Sequence, residues 1–120
     1  MNKICTSIEQ SQKLIKLGID VDTADMCYRI VAYNPNDTHV YQPYCFVGTL
    51  ESDIPAWSLS ALLDILAKET HNIDEDGYVT LSSYKGNWWD LSSINCDSEE
   101  IKDSNNPLDA AFEMVCWLKN

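Results

Sequence analysis

The chain has 120 residues, of which 45% are hydrophobic, and its 19 acidic side chains against 8 basic ones leave a formal net charge of −11. That length suits a single domain, residues 1–120, built around one core. No stretch approaches the roughly 18 consecutive apolar residues of a membrane span, and Met1–Thr6 lacks the apolar run of a secretory signal, so a cytoplasmic protein with no membrane contact is expected.

Arg29 is the one arginine. Arginine forks read phosphates and guanine edges, and clustered cations displace counterions, so direct nucleic-acid binding is not expected. The cysteines, Cys5, Cys27, Cys45, Cys96 and Cys116, include no C-x-x-C pair. They read as buried thiols in a reducing compartment rather than as a zinc or redox motif.

In chain order, Thr6-x-x-Glu9 and Ser7-x-x-Gln10 both fit a capping box. They predict a peripheral helix to about Leu17, closed by Gly18 in the left-handed position after the C-cap. Met26–Tyr33 is rich in strand formers. Asn34-Pro35-Asn36-Asp37 turns the chain into a second strand, in which Pro43 forces an edge position or a bulge. Gly48–Asp53 is a polar connection. Ile54–Leu66 reads as the start and body of a central helix: Ser58 is the N-cap, Trp57 and Leu62 occupy staple positions, and Leu59, Leu62, Leu63 and Leu66 form an apolar stripe.

His71–Gly77 is an acidic turn. Tyr78–Tyr84 alternates as a strand, Lys85-Gly86-Asn87 turns, and Trp88–Leu91 returns. Ser92–Asn106 reads as a polar surface loop. Asn106 caps the last helix, with Pro107 at its first position and Asp109 favoured by the helix dipole. In that helix Leu108, Ala111, Phe112, Val115 and Leu118 make the main stripe. Ala110, Met114 and Trp117 widen it, and Asp109, Glu113 and Cys116 mark the outside. The expected fold is α+β: two antiparallel hairpins packed with three helices, in the order α-β-β-α-β-β-α.

No motif names a reaction. Asn72-x-Asp74-x-Asp76-Gly77 imitates a calcium loop, but its twelfth position is Ser83 instead of a bidentate glutamate, so an acidic solvated turn is the better reading and no metal is expected. His39 and His71 lack a second histidine at ligand spacing and sit in no nucleophile pattern. No glycine-rich phosphate loop is present, and no cofactor or enzymatic activity is expected. Trp88 and Trp89 with Tyr78 and Tyr84 across the hairpin are the candidate stacking wall for a small ligand, beside the plainer reading of cross-strand aromatic pairs. The candidate partner-binding carboxylates are Asp74, Glu75, Asp76, Asp97, Glu99 and Glu100.

Four segments carry a resemblance: Cys5–Ile15, Thr23–Tyr28, Asp53–Leu63 with its Ile-Pro-Ala-Trp-Ser-Leu-Ser-Ala-Leu-Leu run, and Asp109–Leu118. They resemble a group of small uncharacterised proteins of phages and prophages of gut bacteria, in which the region matching Val31–Glu51 is longer. The resemblance implies an accessory protein of a virus or mobile element acting inside a bacterial cell, and it carries over no catalytic residue. Two functions are weighed. One is an interaction protein whose acidic surface engages a basic host or phage protein, because such a field steers binding toward positive surfaces. The other is a nucleotide or glycan binder using the aromatic hairpin. Sequence patterns say nothing of oligomeric state.

Overall fold

The computed structural model describes residues 3–33, 35–36, 38–84, 88–94 and 99–119, with only the backbone of Tyr84. The elements are α1 (Ile8–Lys16), a 3-10 turn (Val21–Thr23), β1 (Met26–Tyr33), β2 (His39–Tyr44), β3 (Ile54–Ala56), α2 (Leu59–Ile73), β4 (Tyr78–Tyr84), β5 (Trp88–Ile94), β6 (Glu99–Ser104) and α3 (Pro107–Lys119). The fold is α+β in the expected order, with β3 and β6 added. The two antiparallel sheets run β2-β1-β3 and β4-β5-β6. The chain divides into two compact units: an N-terminal unit, Cys5–Ser58, and a C-terminal unit, Leu59–Asn120 together with Met1–Ile4.

In the N-terminal unit, local chemistry sets α1. Ser7 Oγ accepts from the Gln10 N–H and the Gln10 side chain accepts from the Ser7 N–H, so the capping box forms at Ser7. At the other end Gly18 has φ +90°. Gly18 N–H bonds to the Ile15 carbonyl and Ile19 N–H to the Leu14 carbonyl, which is the Schellman pattern. Thr6 is not the cap. It is buried, and its hydroxyl accepts the Trp57 N–H at 3.1 Å and shares a 2.8 Å hydrogen bond with Ser11.

The helix starts where the expected cap Ser58 puts it, but the lead-in read with it, Ile54–Ala56, is corrected. Ile54–Ala56 is strand β3, paired with Met26–Tyr28, and the helix begins at Leu59 after Ser58. Pro55 explains the change, because it holds the preceding residue extended and has no N–H to give. Pro43 lies within β2, an edge strand as expected, while the register shift falls between Ile30 and Ala32 on β1. Both outer strands of this sheet therefore carry a proline, and the central strand carries none. Trp57 is fully buried, and its Nε1–H donates to Thr23 Oγ1 at 2.9 Å.

In the C-terminal unit, α2 packs over the β4 side of the sheet and against α3, which covers β5 and β6. The core includes Leu62, Leu66, Leu91, Leu108, Met114 and Val115, with one buried polar tie between Thr70 and Ser93 at 3.0 Å. The expected loop over Ser92–Asn106 is corrected too: Glu99–Ser104 pairs with Trp89–Ile94 as β6. Asn106 caps α3 as expected, accepting from Leu108 N–H at 2.9 Å. The face of α3 differs at one turn, because Cys116 is buried and Trp117 is 43% exposed. Trp117 continues the outward ridge of Asp109 and Glu113 at four-residue spacing, whereas Cys116 continues the inward ridge of Leu108 and Phe112. No helix among the described residues is long and apolar enough to cross a membrane.

Candidate functional site

The second sheet arranges the predicted residues in rows. Tyr78 is opposite Ile94, which is opposite Glu99; at the other end Tyr84 is opposite Trp88, and Trp89 lies between Ser83 and Ser104. Tyr78 and Tyr84 are thus about 20 Å apart along β4. Tyr84 and Trp88 are register partners, Trp89 projects from the opposite face, and Tyr78 belongs to the far end. Trp88 is 36% exposed and Tyr78 55% exposed.

The candidate partner-binding acids sort to the Tyr78 end, whereas Asp90 and Asp103 face one another near the tryptophans. The Asp74–Asp76 turn leads directly into Gly77 and Tyr78, while Glu99 and Glu100 open β6, two strand spacings or roughly 10 Å away. Asp74 Oδ1 accepts the Asp76 N–H, and its carbonyl accepts the Gly77 N–H at 2.8 Å, closing a tight turn. Glu75 and Asp76 are exposed. Glu100 pairs with Lys102 at 3.1 Å. Asp97 lies outside the described residues, as do the Lys85–Asn87 turn, Cys96, Asn34 and Asp37. The Tyr78 end is therefore the more acidic one, and the other end carries Trp88 and Trp89 with Asp90 and Asp103 beside them.

Between α2 and β4 lies a cleft of about 530 Å³, lined by Leu63, Ala67, His71, Gly77, Tyr78, Val79 and Leu81. Leu63, Ala67 and His71 stand at four-residue spacing on one helical ridge, and Val79 and Leu81 share one face of β4. His71 Nδ1–H donates to the Glu75 carbonyl at 3.1 Å, which orients the ring at the acidic end. Gly77 permits the close approach of turn, helix and strand: a Cβ there would lie 3.0 Å from the Asp74 carbonyl oxygen and 3.1 Å from that of Ile94. Tyr78 is the one predicted ligand residue in this wall. Of the helical ridge only Leu63 belongs to the stripe read from the sequence; Ala67 and His71 do not, and which strand would stand beside them was not readable.

The N-terminal unit holds a different polar cluster. Arg29 Nε and Nη2 bind the Asp53 carboxylate at 2.9 and 2.7 Å, and the guanidinium lies over Phe46, 4.8 Å from the ring centre. Asp53 also accepts the Thr49 and Leu50 N–H groups. The Arg29 hydrogen bonds, followed by these backbone donors, hold its carboxyl down at about 2. Burial, then the Asp53 charge, pushes the neighbouring Cys27 thiol up, away from thiolate chemistry. The lone arginine is thus engaged by Asp53 rather than presented to a phosphate. Burial also pushes the Tyr28 hydroxyl well up; that hydroxyl donates to the Thr6 carbonyl at 3.0 Å and accepts from Cys5. At the hairpin, Tyr33, His39 and Tyr41 pack edge to face. Of that cluster only His39 was singled out in the sequence. No group of three metal-ligating side chains occurs among the described residues.

Compared with protein-family models, curated proteins and solved structures, the chain matches none.

Proposed function

We propose that the chain is a non-enzymatic accessory protein of a phage or mobile element, acting in the cytoplasm of a bacterial cell, that binds a basic host or phage protein through its acidic surface. The observation that carries this reading is the gathering of Asp74, Glu75, Asp76, Glu99 and Glu100 at one end of the second sheet, in a chain of net charge −11. Such a field accelerates encounter with a positive surface and repels acidic competitors. The reading also draws on the engagement of Arg29 by Asp53 and the raised Cys27 pKa, which favour neither phosphate recognition nor thiol catalysis.

The test is capture on the immobilised protein, with a variant in which Glu75 and Asp76 are both lysine. A basic protein retained at about 0.1 M salt and released near 1 M, where the screening length falls to roughly 3 Å, is expected for the native chain. The variant should lose it. Retention of nothing salt-sensitive sinks the reading.

A second reading, a small-ligand binder, draws on the volume of the α2–β4 cleft, which falls within the roughly 300–1,000 Å³ of ligand pockets. Among the described residues the cleft lining contains no lysine or arginine for a phosphate, so a glycan suits it better than a nucleotide. Titration with glycans and nucleotides, read from the backbone amides of residues 63–71 and 77–81, decides it; unshifted amides remove this reading.

A further inference from the structure

Exposed sheet edges invite pairing with another chain, and proteins blunt them with proline, charge, shortness or bulges. Three of the four outer strands here are blunted. β2 contains Pro43 and faces the register shift on β1, β3 is 3 residues long and contains Pro55, and β6 carries Glu99, Glu100, Lys102 and Asp103. β4 has no such guard. Its sequence, Tyr-Val-Thr-Leu-Ser-Ser-Tyr, holds no proline and no charge, and its pairing with β5 runs without interruption. β5 is its strand neighbour in the sheet, so the side away from β5 offers backbone donors and acceptors to an added strand. The α2–β4 cleft adjoins this unguarded strand and supplies apolar walls from Leu63, Ala67, Val79 and Leu81. A free strand edge beside a helix-walled cleft is the physical requirement for recognising an extended peptide: main-chain bonds give affinity and the cleft accepts alternate side chains.

The geometry points to β4 and the α2–β4 cleft as the docking site for an extended segment of a partner protein. The segment is about six residues long, alternates apolar side chains, and carries lysine or arginine where it meets the acidic end. Charge selects this occupant. Glu75 and Asp76 are exposed beside the His71–Tyr78 end of the cleft, whereas Asp64 and Lys68, exposed on the flank of α2, offset one another. The same charge disfavours a second copy, since two chains of net charge −11 would bring like-charged ends together. The basic part of this assignment rests on the acidic-surface reading above; the strand-addition part does not.

The experiment uses the full chain, labelled for NMR, with synthetic peptides alternating valine and threonine that end in lysine, in glutamate or in an uncharged residue. The lysine-ended peptide is expected to shift the amides of residues 78–84 and 63–71. It should bind about tenfold tighter than the glutamate-ended one at low salt. Methylating alternate peptide nitrogens on the bonding side should abolish binding without altering the protein. Ala67→Phe, at an exposed helical position, fills the cleft and should weaken binding by about tenfold, the loss of one good contact. Unshifted β4 amides, or binding indifferent to both methylation and Ala67→Phe, overturns the docking site, even if salt-sensitive capture of a basic protein persists. Equal affinity for all three peptides at β4 supports strand addition and instead removes the acidic-surface reading. A concentration-dependent dimer with β4 amides protected in the absence of peptide would make a second copy the occupant and overturn the peptide assignment.

Discussion

The two units solve the same problem with different materials. The C-terminal unit lays α2 and α3 on a sheet and fills the space with leucines, Met114 and Phe112, beside the buried hydroxyl pair of Thr70 and Ser93. The N-terminal unit has a helix of 9 residues and a third strand of 3, and it ties its interior with polar bonds: Thr6 to Trp57 and Ser11, Trp57 to Thr23, Tyr28 to Thr6. A unit that small buries a limited apolar area, so fully satisfied hydrogen bonds carry more of its specificity. The edges differ in the same sense. Both outer strands of the sheet in the N-terminal unit carry a proline, whereas β4, an outer strand of the sheet under the helices, carries neither proline nor charge.

The sharpest probe of the polar interior is Trp57→Ala. It removes a fully buried indole and leaves the Thr6 and Thr23 arrangement without its template, and a loss of about 3–5 kcal/mol is expected. Amide exchange across Cys5–Ser58 measures it, and a loss below about 1 kcal/mol would mean that Trp57 does not organise this unit.

Gly48→Ala comes next. A Cβ at residue 48 would stand 2.7 Å from the Asp53 Cβ and 3.1 Å from that of Cys27, so the loop must move and the Arg29–Asp53 fork with it. A cost of about 1–3 kcal/mol is expected by denaturant titration. The same cluster has a pH signature. Asp53 is lowered from 3.8 to about 2 when folded. Its contribution to stability is therefore complete above the ordinary carboxylate range and is lost as pH falls from about 4 toward 2. Asp53→Asn should flatten the stability profile in that window; an unchanged slope would show that other carboxylates set it.

Asn106→Ala removes the cap of α3 in the roofed unit and should cost about 1 kcal/mol by thermal unfolding. The smallest effect tests the open edge itself. Ser82 is the register partner of Asp90, which faces Asp103 on its other side. Ser82→Lys adds an opposite charge to that row and should stabilise by about 0.2–1 kcal/mol. It also places on β4 the kind of guard its counterparts carry.

Local signals made much of this legible in advance. Ser7 with Gln10, Gly18, and Asn106 with Pro107 set helix ends through bonds made within a few residues; the last two were readable as they stand, and the first as one of two overlapping capping boxes. The boundaries of β1 and the edge position of β2 followed from strand formers and Pro43. Other elements depend on partners distant in sequence. Ile54–Ala56 joins a sheet because Met26–Tyr28 is there to pair with it. Glu99–Ser104 has the composition of a loop and becomes a strand on β5. Cys116 and Trp117 exchange sides once the direction of α3 relative to its sheet is set.

The amino-acid sequence by itself determined the α+β class, the order of helices and hairpins, the helix caps and the strong negative charge. All of these arise from composition or from contacts between near neighbours. Tertiary structure alone decided that the chain divides after Ser58, that Glu99 and Glu100 join the Asp74–Asp76 turn at one end of the second sheet, and that the Leu63–Ala67–His71 ridge meets an unguarded strand. Each of those depends on register and packing between segments distant in the chain, where a shift of one residue turns every side chain to the opposite face.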